Sequence, residues 1–197
     1  MQRKKTTKIL GVWLQEDVGW QKNTEEVCKA AYQRVSMLTK LKYAGETVEN
    51  LLHIYKQFIR SKLEYCSVAF HSSLTLQQSK AIERCQAVCL RTILQDSYES
   101  YESALVKTGF KKLSTRRYDR CLNFSLKCLK HKQNRRMFPA NPNLQNGIDL
   151  RQRERFQVNF ARTKTYQNSA IPFCQNLLNT HFARLQGEGG GDGREED

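Results

Sequence analysis

Proline is nearly missing from this chain. Pro139, Pro142 and Pro172 are the only three in 197 residues, so the first two-thirds carries no proline to interrupt a helix. Long apolar runs are missing too. No segment approaches 18 consecutive apolar residues, so no membrane span is expected. There is no Asp-Asp pair, no glycine-rich phosphate loop and no internal repeat. No secretory apolar region precedes the seven cysteines, Cys28, Cys66, Cys85, Cys89, Cys121, Cys128 and Cys174. Their odd number excludes complete internal pairing, and reduced, intracellular thiols are the expected state. Acids are scarce: 19 Asp and Glu face 33 Lys and Arg, for a net charge of +14. A field of that sign draws phosphates or acidic partners and says nothing of fold.

What is present is enough for one or two small domains with a core. Hydrophobic residues make up 39% and charged residues 26%, a balance that excludes wholesale disorder. The charge is unevenly placed. From Lys111 to Arg136 ten Lys or Arg stand against one acid, Asp119, whereas Gly187–Asp197 carries −4 and leaves +18 on the rest.

The opening run Lys8-Ile9-Leu10-Gly11-Val12-Trp13-Leu14 reads as an extended segment, with Gln15-Glu16-Asp17 as a turn before Trp20. It calls for a pairing partner upstream, where little chain lies, as expected of a piece of a larger protein. A helix is expected from Asn23, with Glu26 completing a capping box and Gly45 as its stop. Val27, Ala31, Val35 (or Arg34), Leu38 and Leu41 form its inward face. A second helix follows Thr47, with Leu51, Leu52, Tyr55, Ile59 and Leu63 on one stripe. Thr75 and Gln78 offer another capping box, ahead of Ile82, Cys85, Cys89 and Ile93. A short helix ends at Gly109. A basic helix begins at Leu113, with Tyr118, Leu122, Ser125 and Leu129 facing inward. Pro139–Pro142 closes that region. Residues 143–168 form a polar, partly extended arm with alternation at Phe156, Val158 and Phe160. A short last helix starts at Ser169 and has Pro172 in its first turn.

The expected fold is therefore mainly α: antiparallel helices, a short N-terminal β strand or hairpin, and a partly extended C-terminal arm. The expected divisions are a hairpin over 1–22, a helical bundle over 23–94, a basic helical region over 95–140, an arm with a terminal helix over 141–186, and a disordered acidic tail over 187–197.

Several short motifs recur in a shared order. Lys8-Ile9-Leu10-Gly11-Val12-Trp13-Leu14 is followed by Trp20. Tyr55-Lys56-Gln57-Phe58-Ile59-Arg60 leads into Leu63-Glu64-Tyr65, then His71. Ile82-Glu83-Arg84-Cys85-Gln86, Leu90-Arg91-Thr92-Ile93-Leu94 and Leu113-Ser114-Thr115-Arg116-Arg117 come next. Arg162-Thr163, Tyr166, Ser169, Ile171-Pro172 and Leu177-Leu178-Asn179 close the series. The set, over residues 7–182, resembles the C-terminal part of the polymerase polyprotein of non-LTR (LINE-type, jockey-like) retrotransposons. One departure is Val68-Ala69-Phe70, where that family has Pro-Val-Trp before the His.

The resemblance implies a primer-grip-like hairpin, with Lys8, Trp13 and Trp20 its residues, followed by thumb-like helices and a post-polymerase region. It also implies a missing palm. Two-metal polymerisation needs acidic side chains at the primer end, and the family's Phe/Tyr-Ala-Asp-Asp motif has no counterpart here. A non-catalytic part of an RNA-directed DNA polymerase is the expectation, with no catalytic residues, no metal and no cofactor.

RNA or DNA backbone is the expected partner, weakly bound by this chain alone, besides the missing palm of the parent enzyme. Arg116, Arg117, Arg120, Lys127 and Lys130 are the candidate phosphate contacts, since Lys and Arg neutralise phosphates regardless of base sequence. The blander reading of these five is a solvated basic face, and that of Trp13 and Trp20 is core packing on the first helix. Zinc at Cys85, Cys89, Cys121, Cys128 and His131 competes with burial of the same cysteines in apolar stripes, and burial fits their helical spacing better. A standalone basic module that binds nucleic acid or a protein is the alternative function. Arg3-Lys4-Lys5 and Lys111-Lys112 are too short to argue nuclear import, so nucleus and cytoplasm both stay open.

Overall fold

The computed structural model describes residues 5–142 and 154–188. Two compact units divide inside the basic helix, Met1–Tyr118 and Asp119–Asp197.

The first unit opens on a hairpin, β1 (Thr6–Ile9) and β2 (Val12–Gln15), antiparallel with Lys8 opposite Trp13 and Ile9 opposite Val12. The opening apolar run is thus not one strand. It folds back on itself at Leu10-Gly11, whose φ angles of 47° and 84° are the left-handed pair a tight two-residue hairpin turn requires. The pairing partner is the chain's own residues 6–9.

Helix α1 (Gln21–Tyr43) starts two residues earlier than its sequence signal. The Asn23–Glu26 capping box does not form. Instead Gln15 Oε1 accepts from the Lys22 backbone N–H at 2.8 Å, and buried Asn23 accepts from the Trp13 N–H at 3.2 Å. Strand and helix start satisfy each other, which outcompetes a purely local cap. The helix stops ahead of Gly45, whose φ is 91°.

The second helix, α2 (48–63), runs as an α-helix over Val48–Ile54, a π-helical turn over Tyr55–Arg60 and an α-helical end, Ser61–Leu63. The Thr47 hydroxyl caps it through the Asn50 N–H. Leu51, Tyr55, Ile59 and Leu63 are fully buried. Their spacing of four drifts by about 40° per step around an α-helix. The wider π turn takes more residues per turn and brings the four back onto one face. Burial of each such side chain contributes about 1.5–3 kcal/mol.

After α3 (Ser67–Phe70), helix α4 (Leu76–Leu94) begins with the full Thr75–Gln78 capping box. Arg34 meets Phe58 and Tyr55 meets Gln86, so α1, α2 and α4 alternate in direction. Consequently α1 and α4 run the same way, with Gln21 beside Gln78. Ile82, Cys85, Cys89 and Ile93 join Ala31, Leu38 and the α2 stripe in one core, together with Val12 and Trp20. Helix α5 (Tyr101–Thr108) packs Ala104 and Leu105 on Leu90 and ends at Gly109, φ 66°.

Helix α6 (Leu113–Lys130) carries the basic run. Its buried positions are Leu113, Arg117, Cys121, Ser125 and Cys128: Ser125 faces inward as expected, whereas Arg117, Cys121 and Cys128 are buried in place of Tyr118, Leu122 and Leu129, each one residue earlier. The cysteines take the place of larger apolar residues, and Tyr118 turns its ring edge-on to His71 at 6.5 Å. The helix also stops at Lys130, well short of Arg136, where a 3₁₀ turn covers Asn134–Met137.

In the second unit Pro139–Asn141 lies antiparallel to Glu154–Gln157. Ala140 bridges Phe156, and Gln157 N–H donates to Pro139 O at 2.9 Å. Residues 143–153 of the expected arm lie outside the described residues. Of the expected alternation, Phe156 is buried and Phe160 exposed. A short helix α7 (Lys164–Gln167), capped by Thr163, precedes α8 (Ala170–Glu188), which is 19 residues long rather than short. It reaches into the expected acidic tail, whose remainder, 189–197, lies outside the described residues. Asn179 holds Phe156 by both backbone groups, N–H to Oδ1 at 2.8 Å and Nδ2 to O at 2.9 Å. Buried Gln175 accepts from Asn159 N–H and donates to Met137 O. Side-chain amides of one helix thus satisfy an extended segment that has only a single bridge for a sheet partner.

Candidate nucleic-acid interface

Helix α6 owes its start to a carboxylate from another helix. Glu83, on α4, accepts from the Leu113 and Ser114 N–H groups at 2.8 and 3.2 Å, an anion on unsatisfied helix-terminal donors. Glu83 also accepts from the Tyr101 hydroxyl. One turn along α4, buried Gln86 accepts from Tyr55 and donates to Tyr101 and to Lys111 O. Burial, and then the hydrogen bond to Glu83, hold the Tyr101 phenol above its ordinary range.

The five candidate phosphate contacts separate into two groups. Arg116 pairs with Glu64 through two guanidinium nitrogens, the Nη2–Oε2 leg at 3.0 Å, and the Glu64 side chain is only 1% exposed. Arg117 is fully buried and donates to Ser79 Oγ at 2.8 Å. Burial, aided by the Arg117 charge, pushes the His71 imidazole down to about 4. Both arginines therefore serve the first unit's interior, and Arg117 offers no surface to a phosphate. Sequence alone does not separate them from their neighbours, because the partners Glu64 and Ser79 lie far away in the chain.

The other three, Arg120, Lys127 and Lys130, are exposed in the second unit. The basic surface continues past the helix. Leu129, Lys130, Lys132, Arg135 and Arg136 line a hollow of about 370 Å³ that has four cations and no acid on its walls. Lys127 and Lys130 also sit on the last turn of α6, where cations offset the negative end of the helix dipole. Lys132, Arg135 and Arg136 belong to the same surface and were legible only as part of the charge run.

The primer-grip-like residues separate as well. Trp20 is in the core, its ring 5.8 Å from that of Phe70. Trp13 is half-buried, with the Lys8 and Lys22 ammonium groups each 5.5 Å from its ring centroid. Lys8 is its cross-strand neighbour, and the contact is a cation–π pair. Apolar surface stays open at the hairpin tip, where Leu10 is 87% exposed.

All seven cysteines are free thiols, six of them buried. Among the described residues no three His, Cys, Asp or Glu side chains are grouped to hold a metal ion, and no helix is long and apolar enough to cross a membrane. Comparison with known proteins finds no matching family model, no matching curated protein and no matching solved structure.

Proposed function

We propose that this chain is a non-catalytic, thumb-like and post-polymerase part of an RNA-directed DNA polymerase of the non-LTR retrotransposon kind, and that its exposed cations contact nucleic-acid phosphates. The observation that carries the reading is that residues of separate motifs pair with one another. Tyr55 meets Gln86, Glu64 meets Arg116, Glu83 caps Leu113-Ser114, and the Tyr65 hydroxyl donates to Leu10 O at 2.9 Å. These contacts join the hairpin, α2, α4 and the start of α6 in one packed unit, which supports a thumb-like helical bundle. Within this reading the phosphate contacts are Arg120, Lys127, Lys130, Lys132, Arg135 and Arg136, while Arg116 and Arg117 position the helix that presents them.

The test is a titration of an RNA–DNA hybrid at low salt with the wild-type chain and with Lys127→Glu/Lys130→Glu. Sequence-independent binding that the charge reversal weakens supports the reading. No affinity in the wild type overturns it.

A standalone helical module is the second reading. It is favoured by one observation: Val12 and Trp20 are closed over by the chain's own helices. A stable, monomeric wild-type chain that binds a protein partner and no nucleic acid would select it.

A further inference from the structure

We infer that the cleft between the hairpin tip and the π-helical turn of α2 is a stacking site for unpaired bases of single-stranded nucleic acid, an inference that rests on the nucleic-acid reading above. The cleft holds about 400 Å³ and lies within the first unit. Gly11 of the hairpin turn, Arg34 of α1 and Phe58, Ser61, Lys62 and Tyr65 line it. Two aromatic rings therefore share its wall, and both are open to solvent: Phe58 is 58% and Tyr65 49% exposed. Two solvent-open rings on one wall can accept a flat apolar face, which aromatic side chains favour in offset or edge-on stacks.

The π turn is tied down by side chains. Its widened backbone leaves carbonyls off the α-helical ladder, and side chains take them. The Ser61 hydroxyl donates to Gln57 O, and Arg34 Nη1 donates to Phe58 O at 2.8 Å. The opposite wall is fixed by the Tyr65 hydroxyl on Leu10 O. A Cβ on Gly11 would meet Tyr65 Cε1 at 3.6 Å, so the turn rests directly against the ring. Phe58 is thus held outward on a turn whose buried side, Tyr55 and Ile59, is locked into the core.

The charge selects the occupant. Arg34 and Lys62 edge the cleft, and Lys62 Nζ lies 5.9 Å from the Tyr65 ring centroid. Lys56 and Arg60, from the same turn, stack on Phe110 at 5.1 and 5.4 Å. Between Tyr55 and Leu63 there is no acid, and the next one, Glu64, is buried against Arg116. Cations interleaved with open aromatic faces are what a single strand needs, with phosphates on the ammonium groups and bases on the rings. A duplex keeps its bases stacked on each other and has no face to offer Phe58.

The experiment compares the affinity of the full chain for a labelled oligothymidine and for a duplex of equal length. Phe58→Ala is expected to weaken oligothymidine binding about tenfold, the order found for one lost base–aromatic stack, and to leave duplex binding and thermal unfolding unchanged. Tyr65→Phe, which keeps the ring, is expected to retain most of the affinity. Lys127→Glu/Lys130→Glu is expected to weaken both ligands. If the charge reversal acts and Phe58→Ala does not, the stacking site is wrong and the phosphate reading stands. If the wild type binds neither ligand, both fall. If Phe58→Ala abolishes self-association of the chain instead of oligothymidine binding, the cleft is a contact between copies and the inference is overturned.

Discussion

The two ends of α6 use the same residue types for opposite purposes. In its first turns, within the first unit, Arg116 and Arg117 are drawn to Glu64 and Ser79; Arg117 leaves the surface altogether and Arg116 keeps 27% of its side chain exposed. In its last turns, within the second unit, Lys127 and Lys130 stay exposed above a stripe of Cys121, Ser125 and Cys128. A charge run in a sequence therefore marks a helix rich in cations without saying which of them remain available. What decides is whether a distant element brings an acceptor to the inward side. The two units also secure extended backbone differently. The first pairs two strands in a hairpin. The second holds Phe156 and Asn159 with Asn179 and Gln175 side chains.

The contrast between the two ends of α6 breaks most visibly on substitution. Arg116→Ala removes a paired guanidinium from a carboxylate that is 1% exposed, and a loss of about 3 kcal/mol is expected. Lys127→Ala is expected to stay within about 0.5 kcal/mol. Urea denaturation of both variants checks this, and equal losses would erase the distinction.

Next in size is the second unit's amide ladder. Asn179→Ala strips both backbone groups of Phe156 of their partner, and a loss of about 2 kcal/mol is expected. Amide exchange should show opening confined to residues near 154–160. Global opening would contradict a local tie.

The first unit should also respond to acid through His71. Its folded imidazole is held near 4, below the ordinary value of about 6.5. Between those values the unfolded chain binds more protons, so this contribution is complete above about pH 6.5 and is lost as pH falls toward 4. Urea midpoints measured from pH 7 to 4 should fall less steeply in His71→Phe than in the wild type. Parallel curves would show that His71 is not the source.

The smallest effect belongs to the hairpin tip. Gly11→Ala meets only ordinary contact at Tyr65 but must hold φ at 84°, which costs about 1 kcal/mol. A thermal melt reads this as a shift of a few degrees, and no shift would mean the turn relaxes freely.

Much of the helical scaffold was legible because its signals are local. Thr47, the Thr75–Gln78 box, Gly45 and Gly109 end helices through their own backbone neighbours, and the stripe Ile82–Cys85–Cys89–Ile93 buries as its period requires. What failed depended on contacts that a helix's own pattern does not display. Asn23 is claimed by Trp13, not by Glu26. Leu10 enters the left-handed region because Gly11 follows it and the strands close on either side, a turn hidden within an apolar run. On α6, Ser125 is buried as expected, but a buried arginine and two cysteines take the other inward positions from Tyr118, Leu122 and Leu129. Of the candidate site, the cationic surface was visible as charge density. The withdrawal of Arg116 and Arg117 required their distant partners Glu64 and Ser79, and the aromatic cleft required the hairpin tip to meet Tyr65.

The central claim is that the exposed cations of residues 120–136 bind phosphate backbone. It is tested most directly by the salt dependence of hybrid binding. The account predicts a linear fall of log affinity with log salt, with the slope reduced by about 1 for each of Lys127→Ala and Lys130→Ala and unchanged in Arg117→Met. A slope that ignores Lys127 and Lys130, or an affinity independent of salt, would contradict it.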